Sequence, residues 1–271
     1  MFFSNYKSAE VSITKIESPI VSWLICTHVI NENLRLSIQS CLNQTFSDFE
    51  LVVITNGPNA FNIAQEIRHW FNTDRRVHIF STPIQHLTFS LSLGLHYARG
   101  EFIARMDADD LSKPDRIERQ LSFMINNPQV IVLGTAYELI DDAGNILKKI
   151  YLPTKDKDIR SSLYRGNPIC HPSVMFRRLP VLESGGYLGS IYAQDYDLWS
   201  RLSLNQKNKF ANLDYICLQY RHSGLGKARK ARLSYASMSS SQFRNYITGA
   251  GITWGLAAIL TAFKGVFLSK K

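Results

Sequence analysis

The chain has 271 residues, 45% of them apolar and 20% charged, enough for one large cored domain or a domain with an appendage. Its formal charge of +9 is uneven: residues 221–271 hold nine basic side chains (Arg221, Lys227, Arg229, Lys230, Arg232, Arg244, Lys264, Lys270, Lys271) and no acidic one. Cys26, Cys41, Cys170 and Cys217 are scattered with no CxxC pair, which excludes a cysteine-based metal knot and fits a reducing compartment.

The first ten residues, MFFSNYKSAE, lack the apolar run and small-residue cleavage site of a secretory signal, and residues 1–18 carry little pattern. Val21 to Cys26 predicts a buried first strand, with a turn over 27–31. Leu34, Ile38, Cys41 and Leu42 recur at helical spacing over 32–43. Leu51 to Ile54 predicts a second strand, stopped by Asn56-Gly57-Pro58. A helix over 61–71, a strand from Val77 to Phe80 and a helix marked by Leu87, Leu91, Leu95 and Ala98 come next. A short strand from Glu101 to Met106 follows. Strand–helix alternation with near-continuously apolar strands predicts a mainly parallel sheet covered on both faces.

That short strand runs into Asp107, Ala108, Asp109 and Asp110. Three carboxylates in four positions do not pack in a core without partners. Asp107 and Asp109, two apart, reach one site when a strand end opens into a loop, and hard oxygen ligands suit Mg²⁺ or Mn²⁺. The other reading is that Asp109 and Asp110 cap the next helix and Asp107 is solvated. That helix starts near Pro114 and carries Ile117, Leu121, Met124 and Ile125.

The rhythm then changes. Val130 to Thr135, Glu138 to Ile140 and Ile146 to Tyr151 predict strands around a turn at 141–145. A short helix over 156–163, a strand within 167–177, a helix from Asp195 to Leu204 and a strand from Leu213 to Tyr220 follow. Gln194-Asp195-Tyr196-Asp197-Leu198-Trp199 opens that helix after a glycine-rich loop. A carboxylate there gains support from the helix dipole and stays ionised, as a base requires; otherwise Asp195 or Asp197 is a helix cap. The tail reads as helical from about Ala228, and residues 246–263 carry no charge. That run is just short of the roughly 20 residues of a membrane span. It fits an interfacial or re-entrant helix, a span, or a helix packed on the domain.

Five segments in order resemble an inverting glycosyltransferase of the GT-A fold, in the group called family 2. ARMDADD at 104–110 resembles the DxD motif of that family, and QDYDLW at 194–199 resembles its ED-Y-x-LW motif. QTFSDFELVVI at 44–54, PDRIERQ at 114–120 and HPSVMFRR at 171–178 are also typical, and the match spans about residues 19–222. The resemblance implies an α/β, Rossmann-like, mainly parallel central sheet flanked by helices. A smaller mixed sheet would lie on the acceptor side, with a C-terminal helical tail. It divides the chain into a catalytic domain, 1–222, and a basic and apolar tail, 223–271. Residues 19–110 would be the nucleotide-sugar half and 111–222 the acceptor half.

The resemblance also implies roles. Asp107 and Asp109 would hold Mn²⁺ or Mg²⁺, with His222 completing the metal shell. Thr27, Asn56, Asp107, Ala108, Arg116 and Arg221 would contact a nucleoside-diphosphate sugar, UDP-linked in this reading. Asp110 would support the loop or face the sugar, Gln120 would stand beside Arg116, and His171 would begin a strand beneath the acceptor. Asp195 would be the general base. Gly185 to Ser190 is expected to form part of a closing loop. The chain departs from the family at His28, where an aromatic often borders the nucleoside, and at Asn56, where a carboxylate usually stands. It departs again at Ser92, often asparagine, and at Gln194, usually glutamate. The expected acceptor is a glycan or lipid-linked glycan. Residues 225–271 are expected on an anionic membrane surface, at the inner face of a bacterial cytoplasmic membrane. Two rivals stand beside this reading. A sugar-phosphate nucleotidyltransferase should show a glycine-rich basic signature after the first strand, which residues 26–31 lack. A nucleic-acid-binding module would leave the aspartates without a purpose.

Overall fold

The computed structural model describes residues 18–188, 191–222 and 227–267. Its nine strands form one sheet in the order β3-β2-β1-β4-β8-β6-β9-β5, with β7 paired to β6. The first half alternates β1 (Val21–Thr27), α1 (Glu32–Leu42), β2 (Phe49–Asn56), α2 (Ala60–Trp70), β3 (Val77–Thr82), α3 (Leu87–Tyr97) and β4 (Phe102–Met106). These four strands are parallel.

Burial on both faces explains why the strands read as unbroken apolar runs. Trp23, Ile25, Leu51, Val53, Ala104 and Met106 face a core with α1, α2 and, further on, α4 (Arg116–Asn126). Leu24, Val52, Ile54 and Ile103 face a second core with α3 and the C-terminal helices. Successive residues thus enter opposite cores, the period of two that a strand imposes.

The second half reverses direction. β8 (Met175–Arg177) runs antiparallel to β4, and β6 (Val130–Ile140) antiparallel to β8. β9 (Lys209–Arg221) is parallel to β6, while β5 (Leu111–Ser112) and β7 (Ile146–Ile150) pair antiparallel at the margins. The two strands expected within 130–140 are one strand, with register irregularities near Thr135 and Ala136. α5 (Asp156–Leu163), a short turn at His171–Ser173, α6 (Arg178–Glu183) and α7 (Gln194–Leu202) complete this half.

The tail is an antiparallel hairpin of α8 (Lys227–Asn245) and α9 (Ile252–Phe267). The uncharged run 246–263 is not one helix. Gly249 and Gly251 take φ of +89° and +104°, which break it ahead of α9. Among the described residues no helix is long and apolar enough to cross a membrane.

Candidate active site

The strand order reverses at β1, so the chain leaves the carboxyl ends of β1 and β4 in opposite directions. The crevice this opens is where such sheets bind ligands. A cleft of about 560 Å³ lies there, lined in part by Thr27, Asn56, Asp107, Ala108, Asp109 and Arg221. A larger opening of about 580 Å³ near Tyr215 lies against α4 and β9, away from all these residues.

Each wall is fixed by local bonds. Thr27 Oγ1 donates to the Val29 carbonyl at 2.7 Å, tightening the turn after β1. Asn56, at the end of β2, is buried. Ser37 Oγ on α1 donates to the Asp107 carbonyl at 2.8 Å and so ties the acidic loop to the helix after β1. Gln44 does the same for the following segment: its amide donates to the Lys113 carbonyl at 3.0 Å and accepts from the Ile117 N–H at 3.1 Å.

The acidic loop is electrostatically crowded. Asp107 pairs with Arg105, whose guanidinium is buried at the end of β4. Burial, then the neighbouring Asp107, raises the pKa of Asp109. Burial and Asp107 hold Asp110 well above the usual carboxylate range, against the Arg221 N–H that Asp110 accepts at 2.8 Å. A divalent cation would relieve this crowding, and exposed Asp109 is placed to meet one. Among the described residues no three His, Cys, Asp or Glu side chains gather closely enough to hold a metal alone. The expected trio Asp107, Asp109 and His222 is therefore not assembled. His222 is exposed just past β9, and its N–H donates to the Ile140 carbonyl. An ion bound here would take its remaining oxygens from a diphosphate and water.

One expected ligand contact, Arg116, is a clamp instead. Arg116 is fully buried. Its Nε donates to Gln120 Oε1 at 2.9 Å, its Nη1 to the Pro172 carbonyl and Met106 Sδ, and its Nη2 to the Arg105 and Val174 carbonyls. All five N–H groups are used, so none is left for a nucleotide sugar. Burial pulls its pKa down to about 10. Gln120 is equally buried and donates to the Leu133 and Ser173 carbonyls. Arg221 lines the cleft, but its Nε donates to the Asp109 carbonyl and its Nη1 to those of Asp141 and Asp142. It sets the shape of the acidic loop.

Asp195 stands in the first turn of α7, just after Ala193, a left-handed non-glycine residue at φ 53°. Its Oδ2 accepts from Asn167 Nδ2 at 2.6 Å. Burial raises its pKa, opposed by the Tyr196 N–H, the Asn167 amide and the charge of Arg105. Asp195 does not line the cleft, yet Arg105 acts on it as well as on Asp107. Buried Tyr187 feels Asp195, Cys26 and Asp107 alike, and its hydroxyl lies 2.8 Å from His171 Nε2. The two carboxylates, 88 positions apart, share one electrostatic neighbourhood around Arg105.

Asp197 has a different task. It is buried and bonded to Arg201 at 2.9 Å, to Arg244 and to Ser241 at 3.0 Å, which fastens α8 to α7. Of the expected closing loop, Gly189 and Ser190 lie outside the described residues. Gly185 and Gly186 have positive φ. The carbonyls of Ser184 and Gly186 accept from Arg201, and Ser92 donates to that of Tyr187.

Sequence reading had singled out neither Arg105, Asn167 nor Tyr187. Arg105 left a signal, a lone charge inside the otherwise apolar strand FIARM. Asn167 and Tyr187 left none, being single polar and aromatic residues in loops.

A sequence model of the family described as Glycosyl transferase family 2 matches residues 22–186. The chain is 35% identical over 235 residues to an Escherichia coli protein named O-antigen biosynthesis glycosyltransferase WbnJ, covering 86% of this chain and 91% of that one. It is 27% identical over 240 residues to an E. coli UDP-Gal:alpha-D-GlcNAc-diphosphoundecaprenol beta-1,3-galactosyltransferase, covering 85% and 84%. Its fold is similar, at a TM-score of 0.66 and 14% identity, to a mannosyltransferase from Pyrobaculum calidifontis in complex with GDP-Man and Mn²⁺. That likeness covers 94% of this chain and 72% of the other, and the fold is the GT-A fold. On the family match and the identity to its relatives, the chain belongs to glycosyl transferase family 2 and is a glycosyltransferase.

Proposed function

We propose that the chain moves a sugar from a nucleoside-diphosphate sugar, UDP-linked, to a hydroxyl of a lipid-linked glycan, with inversion at the anomeric carbon. The observation that carries this reading is the cleft at the carboxyl ends of β1 and β4, lined by Thr27, Asn56, Asp107 and Asp109, with Arg105 buried beneath it and paired to Asp107. An E. coli relative is named for UDP-Gal and a diphosphoundecaprenol-linked acceptor, which supports the choice of both substrates.

In this reading the nucleotide lies in the cleft against Thr27, Asn56 and Ala108. The acceptor hydroxyl attacks the anomeric carbon from the face opposite the diphosphate. Asp195 takes the hydroxyl proton, and the nucleoside diphosphate departs with the bonding electron pair. The raised pKa of Asp195 suits a base better than an ordinary aspartate does. Asn167 fixes which carboxylate oxygen faces the reaction. Asp107 and Asp109, with the diphosphate, would hold Mn²⁺ or Mg²⁺, which supplies positive charge against the leaving phosphate. Residues 1–222 form the transferase domain, with 19–110 on the nucleotide side and 111–222 on the acceptor side. Residues 223–271 bring it to the inner face of the membrane.

The test is a panel of nucleotide sugars with Mn²⁺, read by release of nucleoside diphosphate. Turnover of one sugar nucleotide, weakened at limiting Mn²⁺ in Asp109→Asn, is expected. The absence of both binding and turnover for every one of them would overturn the reading.

A further inference from the structure

The tail hairpin is packed inside out. The face of α9 that meets α8 is built from small residues, Gly255, Ala257, Ala258, Thr261 and Gly265, beside Trp254. A Cβ on Gly255 would lie 3.1 Å from the Tyr246 ring, and one on Gly265 would lie 3.0 Å from Tyr235 Cβ, so the helices close tightly. The large apolar side chains point the other way. Ile252, Leu256, Ile259, Leu260, Phe263 and Phe267 are each 56–63% exposed. At 100° per residue they fall within an arc of about 100° along the helix. A helix of a water-soluble domain turns such an arc inward, and one left outward over several turns marks a docking face.

We infer that this face of α9 docks on an anionic lipid bilayer, the helix lying in the headgroup layer rather than spanning it. The inference rests on the lipid-linked acceptor proposed above and names the surface through which the enzyme meets it. Charge selects this occupant: residues 223–271 hold eight basic side chains, one of them Arg244 paired with Asp197, and no acidic one. A second copy docking face to face would bring two cationic tails together, whereas an anionic leaflet attracts them. Lys264 borders the arc, its Nζ donating to the Arg165 carbonyl at 3.3 Å. Length agrees, because among the described residues α9 has 16, short of a span. Asp197 ties α8 to the helix bearing Asp195, so the docking hairpin is fastened to the transferase domain.

The experiment is flotation of the full chain with vesicles of phosphatidylcholine alone and of phosphatidylcholine with phosphatidylglycerol. Binding to the anionic vesicles is expected, at least about tenfold stronger than to the neutral ones and weakened by salt. The double variant Ile259→Asp/Phe263→Asp alters exposed positions and is expected to lose that binding with its thermal unfolding unchanged. A second variant, Leu256→Trp, is expected to blue-shift its emission on anionic vesicles. Failure of the wild type to float, or flotation of the double variant like the wild type, overturns the inference. So does a dimer that the double variant splits while vesicles leave the tryptophan emission unmoved. Nucleoside diphosphate release measured without vesicles, on a detergent-dispersed lipid-linked glycan acceptor, separates the two readings. Turnover without flotation removes the docking face alone, and flotation without turnover removes the transferase reading of the cleft.

Discussion

Arg116→Met separates a clamp from a ligand contact. The substitution keeps the apolar stem beneath the Trp23 ring, where the guanidinium carbon now sits 4.7 Å from the centroid. It removes the side-chain donors to the Arg105 and Pro172 carbonyls and to Gln120 Oε1, while the Val174 carbonyl keeps the Arg105 N–H at 2.9 Å. Each buried acceptor left without a partner costs about 1–3 kcal/mol. Part of this is returned because a charge no longer has to be desolvated, so the net loss is about 3–5 kcal/mol. For a domain of this size that lowers the melting temperature by roughly 10 °C. Thermal and urea unfolding measure the loss. Titration of the still-folded variant with a nucleotide sugar is expected to give the wild-type Kd. Unchanged stability with nucleotide affinity reduced tenfold or more would refute the reasoning and return Arg116 to the sugar-donor site.

Other outcomes follow from the same geometry. Asp195 acts as a base only when ionised, and burial raises its pKa, so kcat/KM is lost as pH falls, above the usual carboxylate range. Asn167→Ala removes a bond that favours the ionised form, and the acidic limb of the pH–rate profile is expected to move further up. A limb that stays put would show that Asn167 does not act on the base. Chelation with EDTA is expected to stop turnover and added Mn²⁺ or Mg²⁺ to restore it, with Asp109→Asn raising the metal concentration needed at half-rate. Asp197→Ala leaves Arg201 and Arg244 without their shared buried carboxylate and is expected to destabilise the chain by about 2–4 kcal/mol. Limited proteolysis of that variant should cut the tail hairpin sooner than in the wild type.

The nucleotide-side half was legible because β1, β2 and β4 are buried on both faces, so an apolar run marks each one, while β3 at the sheet edge is partly buried. β5 has two residues and α6 six, too short for periodicity to register. β6 read as two strands because its pairing with β9 is irregular where Thr135 and Ala136 interrupt the pattern. The aspartates of the acidic loop were legible as a group, since charge at the end of a buried strand demands a reason. Arg116 was misread because spacing does not tell whether a polar side chain turns into the cleft or into the core. Asp195 and Asp197 show the same limit. Two positions apart on α7 they face opposite sides, one toward Asn167 and the other toward the tail. The charge-free run 246–263 looked continuous, but its glycines at 249 and 251 serve as the corner of a hairpin.

The claim beneath the rest is that Asp195 works on the sugar held over Asp107 and Asp109, although it stands outside the cleft that those residues line. Asp195→Asn tests this most directly, with nucleotide-sugar affinity and the single-turnover transfer rate measured on one preparation in Mn²⁺. The account predicts an unchanged Kd and a transfer rate lower by about 10²–10⁴-fold. Transfer at the wild-type rate would contradict it.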